Sequence, residues 1–229
     1  SSILANQIIR HWNADKLLAF GLDCKIEGFS EYDLALKVAR ASGIDLLPVA
    51  YDEKIVPDTI RDVLYHADQP HGDFSFFLIR LLCQRAHEEG VVVAFNGDGP
   101  DEVLGGFSHN AQFLKSGPEE TFDKAAYFST INFMPDIIRD LVLQPDFKFT
   151  LEEPYEYFKE LMKPWKGLNA FDQIAGFEST ILGPGNNLIK TDRMGAGKSI
   201  EGRSPFLDHR VSELFAKMPA EQKFSHGHG

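Results

Sequence analysis

Three carboxylates stand within five residues in the run Asn96-Gly97-Asp98-Gly99-Pro100-Asp101-Glu102-Val103-Leu104-Gly105-Gly106-Phe107. Hard oxygens grouped this way suit Mg2+ carrying phosphates, and Gly97 and Gly99 let backbone approach a ligand closely. The same residues also fit a solvated acidic turn whose glycines serve only positive φ and whose Asp101 caps the next helix. A second cluster reads Lys190-Thr191-Asp192-Arg193-Met194, then Ser199-Ile200-Glu201-Gly202-Arg203-Ser204-Pro205-Phe206-Leu207-Asp208-His209. Glu201 and Arg203 sit two apart in an extended stretch, Pro205 fixes a loop, and Asp208 is placed to N-cap a helix running to about Lys217. The Glu/Arg spacing fits either a catalytic pair or a buried pair that orders a loop. Lys190 reads either as a phosphate-facing lysine or as a surface one.

The elements that position these residues follow from periodicity. Ile3, Leu4, Ile8 and Ile9 recur at helical spacing, so residues 2–12 read as a helix, and Leu17 to Leu22 as a strand. A helix from about Ser30 to Ala41 and a strand from Ile44 to Tyr51 follow. Thr59 to His66 and Phe74 to Glu89 are helical, and Val91 to Phe95 has the β-branched and aromatic content of a buried parallel strand. This rhythm predicts an α/β fold with a doubly wound parallel sheet, whose ligands bind outside the carboxyl ends of the strands, where the acidic turn lies. After Gly106, apolar positions recur every three to four residues through Phe113, Tyr127, Ile137, Leu141, Phe158, Leu161, Phe171 and Ile181, so the second half is expected to be helical without a strand. The division falls at 1–107 and 108–229. No internal repeat appears, and the Ser225-His226-Gly227-His228-Gly229 tail reads as an exposed terminus.

A formal charge of −11 without a Lys/Arg cluster argues against a general nucleic-acid binder. No apolar run approaches the roughly 18 residues of a membrane span, and no signal-peptide pattern opens the chain, so a cytoplasmic location is expected. Cys24 and Cys83 lack ligand spacing and read as reduced, partly buried thiols.

Together the two clusters resemble the asparagine synthetase family. Its Gly-(Asp/Glu)-Gly-x-Asp-Glu-x-x-Gly-Gly-(Tyr/Phe) loop matches Gly97 to Phe107. Its Asp-Arg-Met-x-x-x-x-Ser-x-Glu-x-Arg-x-Pro-Phe-Leu-Asp run matches Asp192 to Asp208 without a gap. Phe29-Ser30-Glu31 and Asp68-Gln69-Pro70 extend the likeness over essentially the whole chain. The resemblance implies a nucleotide-binding domain of the pyrophosphate-loop type, an adenine nucleotide alpha hydrolase-like fold, joined to helices. It also implies an ATP-dependent carbon-nitrogen ligase that uses Mg2+ and adenylates a carboxylate, aspartate first among candidates, for attack by ammonia. A glutaminase domain or subunit and a homodimer are compatible with it.

By the same resemblance Asp98, Asp101 and Glu102 form the catalytic set. Asp101 is the Mg2+-pyrophosphate carboxylate, Asp98 lies near the acyl-adenylate, and Glu102, with Arg193, Glu201 and Arg203, holds the loop. Gly97 meets nucleotide through backbone, and Ala19, Phe20 and Gly21 border the adenine. Ser1 and Ser2 correspond to the last two serines of the family's Ser-Gly-Gly-x-Asp-Ser-Ser cradle. The rest of that cradle with its strand, and a lysine segment beyond residue 229, have no counterpart in the sequence, so the chain as it stands is expected to be inactive. Related carboxylate-adenylating cyclases, the β-lactam synthetases and lasso-peptide cyclases, share this fold; the acidic residue at Asp98 favours an amidotransferase, since β-lactam synthetases tend to carry Tyr there. A catalytically silent binding or assembly remnant is the alternative of another class.

Overall fold

The first turn of backbone that the sequence dictates is at Gly43, which adopts φ 70° and ends the helix before it. Its N–H donates to the Arg40 carbonyl, and that of Ile44 to Ala39, the paired bonds that close a helix end when a residue can enter the left-handed region. The computed structural model describes residues 2–12, 17–24, 31–69, 71–113, 122–132, 139, 141–147 and 150–223. The chain divides into two compact units, one formed by residues 1–98 with 186–205, the other by 99–185 with 206–229.

In the first unit, helix α1 (Ser2–His11) precedes strand β1 (Leu18–Asp23), helix α2 (Tyr32–Ser42) and strand β2 (Asp45–Ala50). β1 and β2 pair in parallel, Leu18 opposite Asp45 through Asp23 opposite Ala50. Helices α3 (Val56–Ala67) and α4 (Ser75–Glu88) follow, then strand β3 (Val93–Phe95), which pairs in parallel with β4 (Glu201–Arg203). Helix α9 (Ile189–Ala196) packs against α3 and α4, burying Val63, Ala67, Phe76 and Met194 in one cluster.

In the second unit lie α5 (Pro100–Leu104), α6 (Lys124–Ile131), α7 (Glu152–Met162), α8 (Ala170–Phe177), α10 (His209–Lys217) and α11 (Ala220–Lys223). Asp123 and Asn169 cap α6 and α8, accepting from the N–H of Ala126 and Asp172, at 2.9 Å each. Tyr127, Phe158, Met162, Phe171, Ile174 and Phe177 form the core, largely through edge and tilted ring contacts. From Glu178 to Leu188 the chain winds as a π-helix with Pro184 inside it.

The α/β character, the parallel pairing and the helical remainder agree with the sequence. Two expectations need correction. The stretch Val91 to Phe95 is not a buried strand: only Val93–Phe95 is extended, Val92 is 67% exposed, and β4 is the paired neighbour of β3 among the described residues. The second half does contain a strand, β4, which three exposed residues reading Glu-Gly-Arg could not announce by hydrophobic alternation. Among the described residues the strands form two separate pairs. Ser1, Ile137 and the 224–229 tail lie outside the described residues.

Candidate functional site

β3 delivers Asn96, Gly97 and Asp98 at its carboxyl end, and β4 holds them there. The N–H of Asn96 donates to the Arg203 carbonyl at 3.0 Å, prolonging the ladder. The hydroxyl of Ser204 donates to Asn96 Oδ1 at 2.6 Å, and the N–H of Asp98 donates to the same oxygen at 3.3 Å. Asn96 thus works as a clasp between the end of β4 and the acidic turn. The Asp98 carboxylate accepts from the Thr191 hydroxyl at 3.0 Å, a contact that brings the two sequence clusters together within the first unit.

Thr191 is placed by α9, and α9 is tied down along its length. At its start, Lys190 Nζ pairs with Asp73 Oδ2 at 2.7 Å, and Asn186 Nδ2 donates to the same oxygen. Lys190 is therefore no surface lysine: its side chain is 13% exposed and faces Asp73, two residues before α4. Asp73 also accepts from the N–H and hydroxyl of Ser75. Burial opposes ionisation of Asp73, but the hydrogen bonds from Lys190 and Ser75, with the lysine's charge, bring its pKa down to about 2. In the middle of α9, Arg193 pairs with Asp68, which takes φ 62° at the end of α3. At its end, the buried Arg80 donates to the Met194 carbonyl at 3.2 Å and holds Asp62 at 2.7 Å. A Cβ at Gly197 would lie 2.6 Å from Arg80 Nη1 and 2.8 Å from His66 Nδ1, so glycine there makes room for the guanidinium.

Asp101 and Glu102 belong to the second unit, on α5. Gly99 enters α5 with φ 113°, and a Cβ on it would lie 2.6 Å from Leu207 Cδ2. It is Gly99, not Asp101, that stands at the N-cap position, and Asp101 lies inside the first turn of α5. Asp101 is exposed, and its carboxylate folds over Gly106, where any side chain would collide with it. Glu102 turns the other way and is buried, its Cγ against the backbone of Gly183. Gly105 closes the helix at φ 72°.

The other expected positions are spread more widely. Ser2 is exposed at the start of α1. Ala19, Phe20 and Gly21 lie in β1, where the Tyr32 ring and Leu46 crowd the Gly21 Cα so closely that a Cβ would stand 3.1 and 3.2 Å from them. Glu201 and Arg203 do pair, at 2.7 Å, but as an exposed pair rather than a buried one, because both side chains leave the short strand toward water. Asp208 caps α10 as its position suggested, accepting from the Arg210 N–H at 3.0 Å. The Arg210 guanidinium on the same carboxylate lowers its pKa strongly. Among the described residues no three His, Cys, Asp or Glu side chains gather as a metal-ligand group.

Sequence reasoning assigned no role to Asn96, Ser204, Thr191 or Asp73. Thr191 lies inside the second motif, one residue from Lys190, and a hydroxyl on the first turn of a helix was its available signal. Asp73 had only its place before Ser75 at a helix start.

Comparison with known proteins now adds to this geometry. Residues 1–229 match the asparagine synthase family. The chain is 25% identical over 240 residues to glutamine-hydrolysing asparagine synthetase 1 of Bacillus subtilis strain 168, covering 92% of this chain and 38% of that protein. A Mycobacterium bovis protein, provisionally named as a glutamine-hydrolysing asparagine synthetase, is 25% identical over 256 residues, 98% of this chain and 38% of its own. An amidase of Penicillium rubens, chyE, is 26% identical over 95 residues, 42% of this chain and 14% of that protein. The chain thus spans well under half of each of these relatives.

Proposed function

The chain belongs to the asparagine synthase family, and on that premise we propose that it is the ATP-using portion of an amide synthetase that activates a carboxylate, aspartate by preference, for capture by ammonia. The observation that carries the reading is the Thr191 bond to Asp98: the two motifs that define the resemblance, distant in sequence, converge on one carboxylate. In the proposed reaction a substrate carboxylate oxygen attacks the α-phosphorus of ATP and the bond to the β-phosphate oxygen breaks, releasing pyrophosphate. Ammonia then adds to the acyl carbon, one proton passes from its nitrogen to solvent or base, and collapse of the adduct expels AMP and leaves the amide.

The demands of that chemistry are alignment, neutralisation of the leaving pyrophosphate, and exclusion of water from a mixed anhydride. Asp101 fits the second task, being exposed, on the first turn of α5, with Gly106 leaving space for its oxygens. Mg2+ is commonly held by one or two carboxylates with substrate phosphates and its own waters, so a three-carboxylate cage is not needed. Asp98, held by Thr191, takes the position beside the acyl-adenylate, and Gly97 offers backbone to the nucleotide. Ser1, Ser2, Ala19, Phe20 and Gly21 complete the nucleotide contacts in this reading. In this reading the strand pairs β1–β2 and β3–β4, separate among the described residues, are parts of one doubly wound sheet of the pyrophosphate-loop type. A glutaminase domain or subunit supplies the ammonia, and the protein works in the cytoplasm; no described helix is long and apolar enough to cross a membrane.

The test is carboxylate-dependent exchange of labelled pyrophosphate into ATP by the full-length protein. Aspartate should support exchange, and Asp101→Asn should lower it by about a hundredfold or more, as expected for loss of a charge-stabilising group, while leaving the melting temperature unchanged. Exchange that answers only to another carboxylic acid would reject asparagine formation. A melting temperature that falls with activity would reject Asp101 as a metal carboxylate.

A further inference from the structure

Glu178 lies on the apolar side of its own helix. It is four residues after Ile174 and seven after Phe171, both core residues, and it is fully buried at the start of the π-helix. A carboxylate in such a place must be held by hydrogen bonds to be tolerated. Its Oε1 accepts from Asn110 Nδ2 at 2.6 Å and from the Tyr127 hydroxyl at 3.0 Å, and His109 Nε2 stands 3.7 Å away. Asn110 and Tyr127 are themselves completely buried. Burial, and then the nearby Glu178 carboxylate, push the Tyr127 phenol far above its ordinary range, so it remains a donor at any working pH.

What these bonds hold is the turn leaving α5. Gly105 and Gly106 run into a 3-10 turn, Ser108–Asn110, in which Phe107 stacks on His109 and the Asn110 N–H donates to the Phe107 carbonyl. The other side of α5 meets the same helix: Glu102 packs on Gly183, where a Cβ would stand 3.2 Å from its Cγ and 2.8 Å from the Glu178 carbonyl oxygen. A π winding closes bonds between residues five apart, which puts Glu178 and Gly183 on a shared face. One helix face therefore grips α5 through Glu102 and the turn beyond it through Asn110.

We infer that Glu178 is a positioning residue for the acidic helix: by fixing Asn110 it sets the Gly105–Asn110 turn, and through the turn the direction of Asp101. Its meaning for catalysis rests on the reading of Asp101 given above. The Tyr127 bond braces the carboxylate from the core side, so Tyr127→Phe should weaken the arrangement less than loss of Glu178.

Two readouts on the same full-length variants test this. Glu178→Ala should raise amide hydrogen exchange in residues 105–111 by about 10- to 100-fold, the factor expected for loss of hydrogen bonds to a charged group. Peptides from 155–177 should keep their protection. In pyrophosphate exchange the half-saturating Mg2+ concentration should rise about tenfold, as for a displaced catalytic group, with a smaller change in rate at saturating Mg2+. Glu178→Gln, which keeps the accepting oxygen, should recover most of both effects. If Glu178→Ala does not fold, Asn110→Ser removes the loop side of the same bond and carries the same expectations. Unchanged amide exchange in 105–111, or equal acceleration in 155–177, overturns the positioning role. Accelerated exchange in 105–111 with wild-type Mg2+ dependence keeps that role and overturns Asp101 as the magnesium carboxylate.

Discussion

Replacing Lys190 by Met tests how α9 is held, and its size can be worked from Asp73. The fall of that carboxyl from its ordinary 3.8 to about 2 corresponds to roughly 2.4 kcal/mol at 1.36 kcal/mol per pH unit. Asp73 keeps some contact with water and with Ser75, so screening and the surviving bonds leave about 1 kcal/mol for the lysine. The sign follows from the direction: a carboxyl with a depressed folded pKa stabilises above its unfolded pKa and loses that contribution as pH falls through the folded one. Urea titrations of wild type and Lys190→Met should therefore differ by about 1 kcal/mol at any pH above about 5. With about 1 kcal/mol from the lysine the variant's folded pKa lies only about 0.7 pH unit above that of the wild type, so the gap should fall to about half near pH 2.4 and vanish below about pH 1. The Asp73→Asn gap, set by the folded and unfolded values of the carboxyl itself, should fall earlier, to about half near pH 3. A Lys190→Met gap that stays constant down to about pH 2, or no gap at all, would refute the idea that Asp73 and Lys190 act as an ion pair that anchors the helix.

Other substitutions probe the site more directly. Thr191→Val keeps the shape and removes the donor to Asp98; because the hydroxyl is shared with the Asn187 carbonyl, exchange should fall by about tenfold, the low end for bonds to charged groups, with the melting temperature held. Loss of exchange only in step with melting would count against it. Gly197→Ala drives a methyl into Arg80 and His66 and should cost about 1–3 kcal/mol by overpacking, read as a lower urea midpoint. An unchanged midpoint would show that Arg80 has another place to go.

The helices and first strands were legible because burial on one face writes a period into the sequence. α1, β1, α2 and β2 come out within a few residues of their expected limits. β4 could not be read that way, since its residues are exposed and its pairing with β3 is settled by contacts distant in sequence. At the site, the acidic run and the Asp192–Asp208 motif stood out by composition and resemblance. Asp73 did not, because an aspartate just ahead of a helix reads as an ordinary helix start, and its partner Lys190 lies far downstream. Glu178 left a fainter trace, an acid at an otherwise apolar helical position, which periodicity alone scores as an irregularity.

The interleaved chain path has a consequence in time. The first unit contains residues 1–98 but is completed only by 186–205, which supply β4, α9 and the Met194 that fills its core. At ribosomal rates of about 5–20 residues per second, β3 waits roughly 5 to 20 seconds for its partner strand to be made. Over that interval the apolar residues Val92, Val93 and Phe95 lack their partner strand, and residues 99–185 of the second unit are synthesised before the first can close. Each unit is thus completed only by a segment made after the other has begun, and the edge of β3 is the strand edge left waiting longest for its partner, β4.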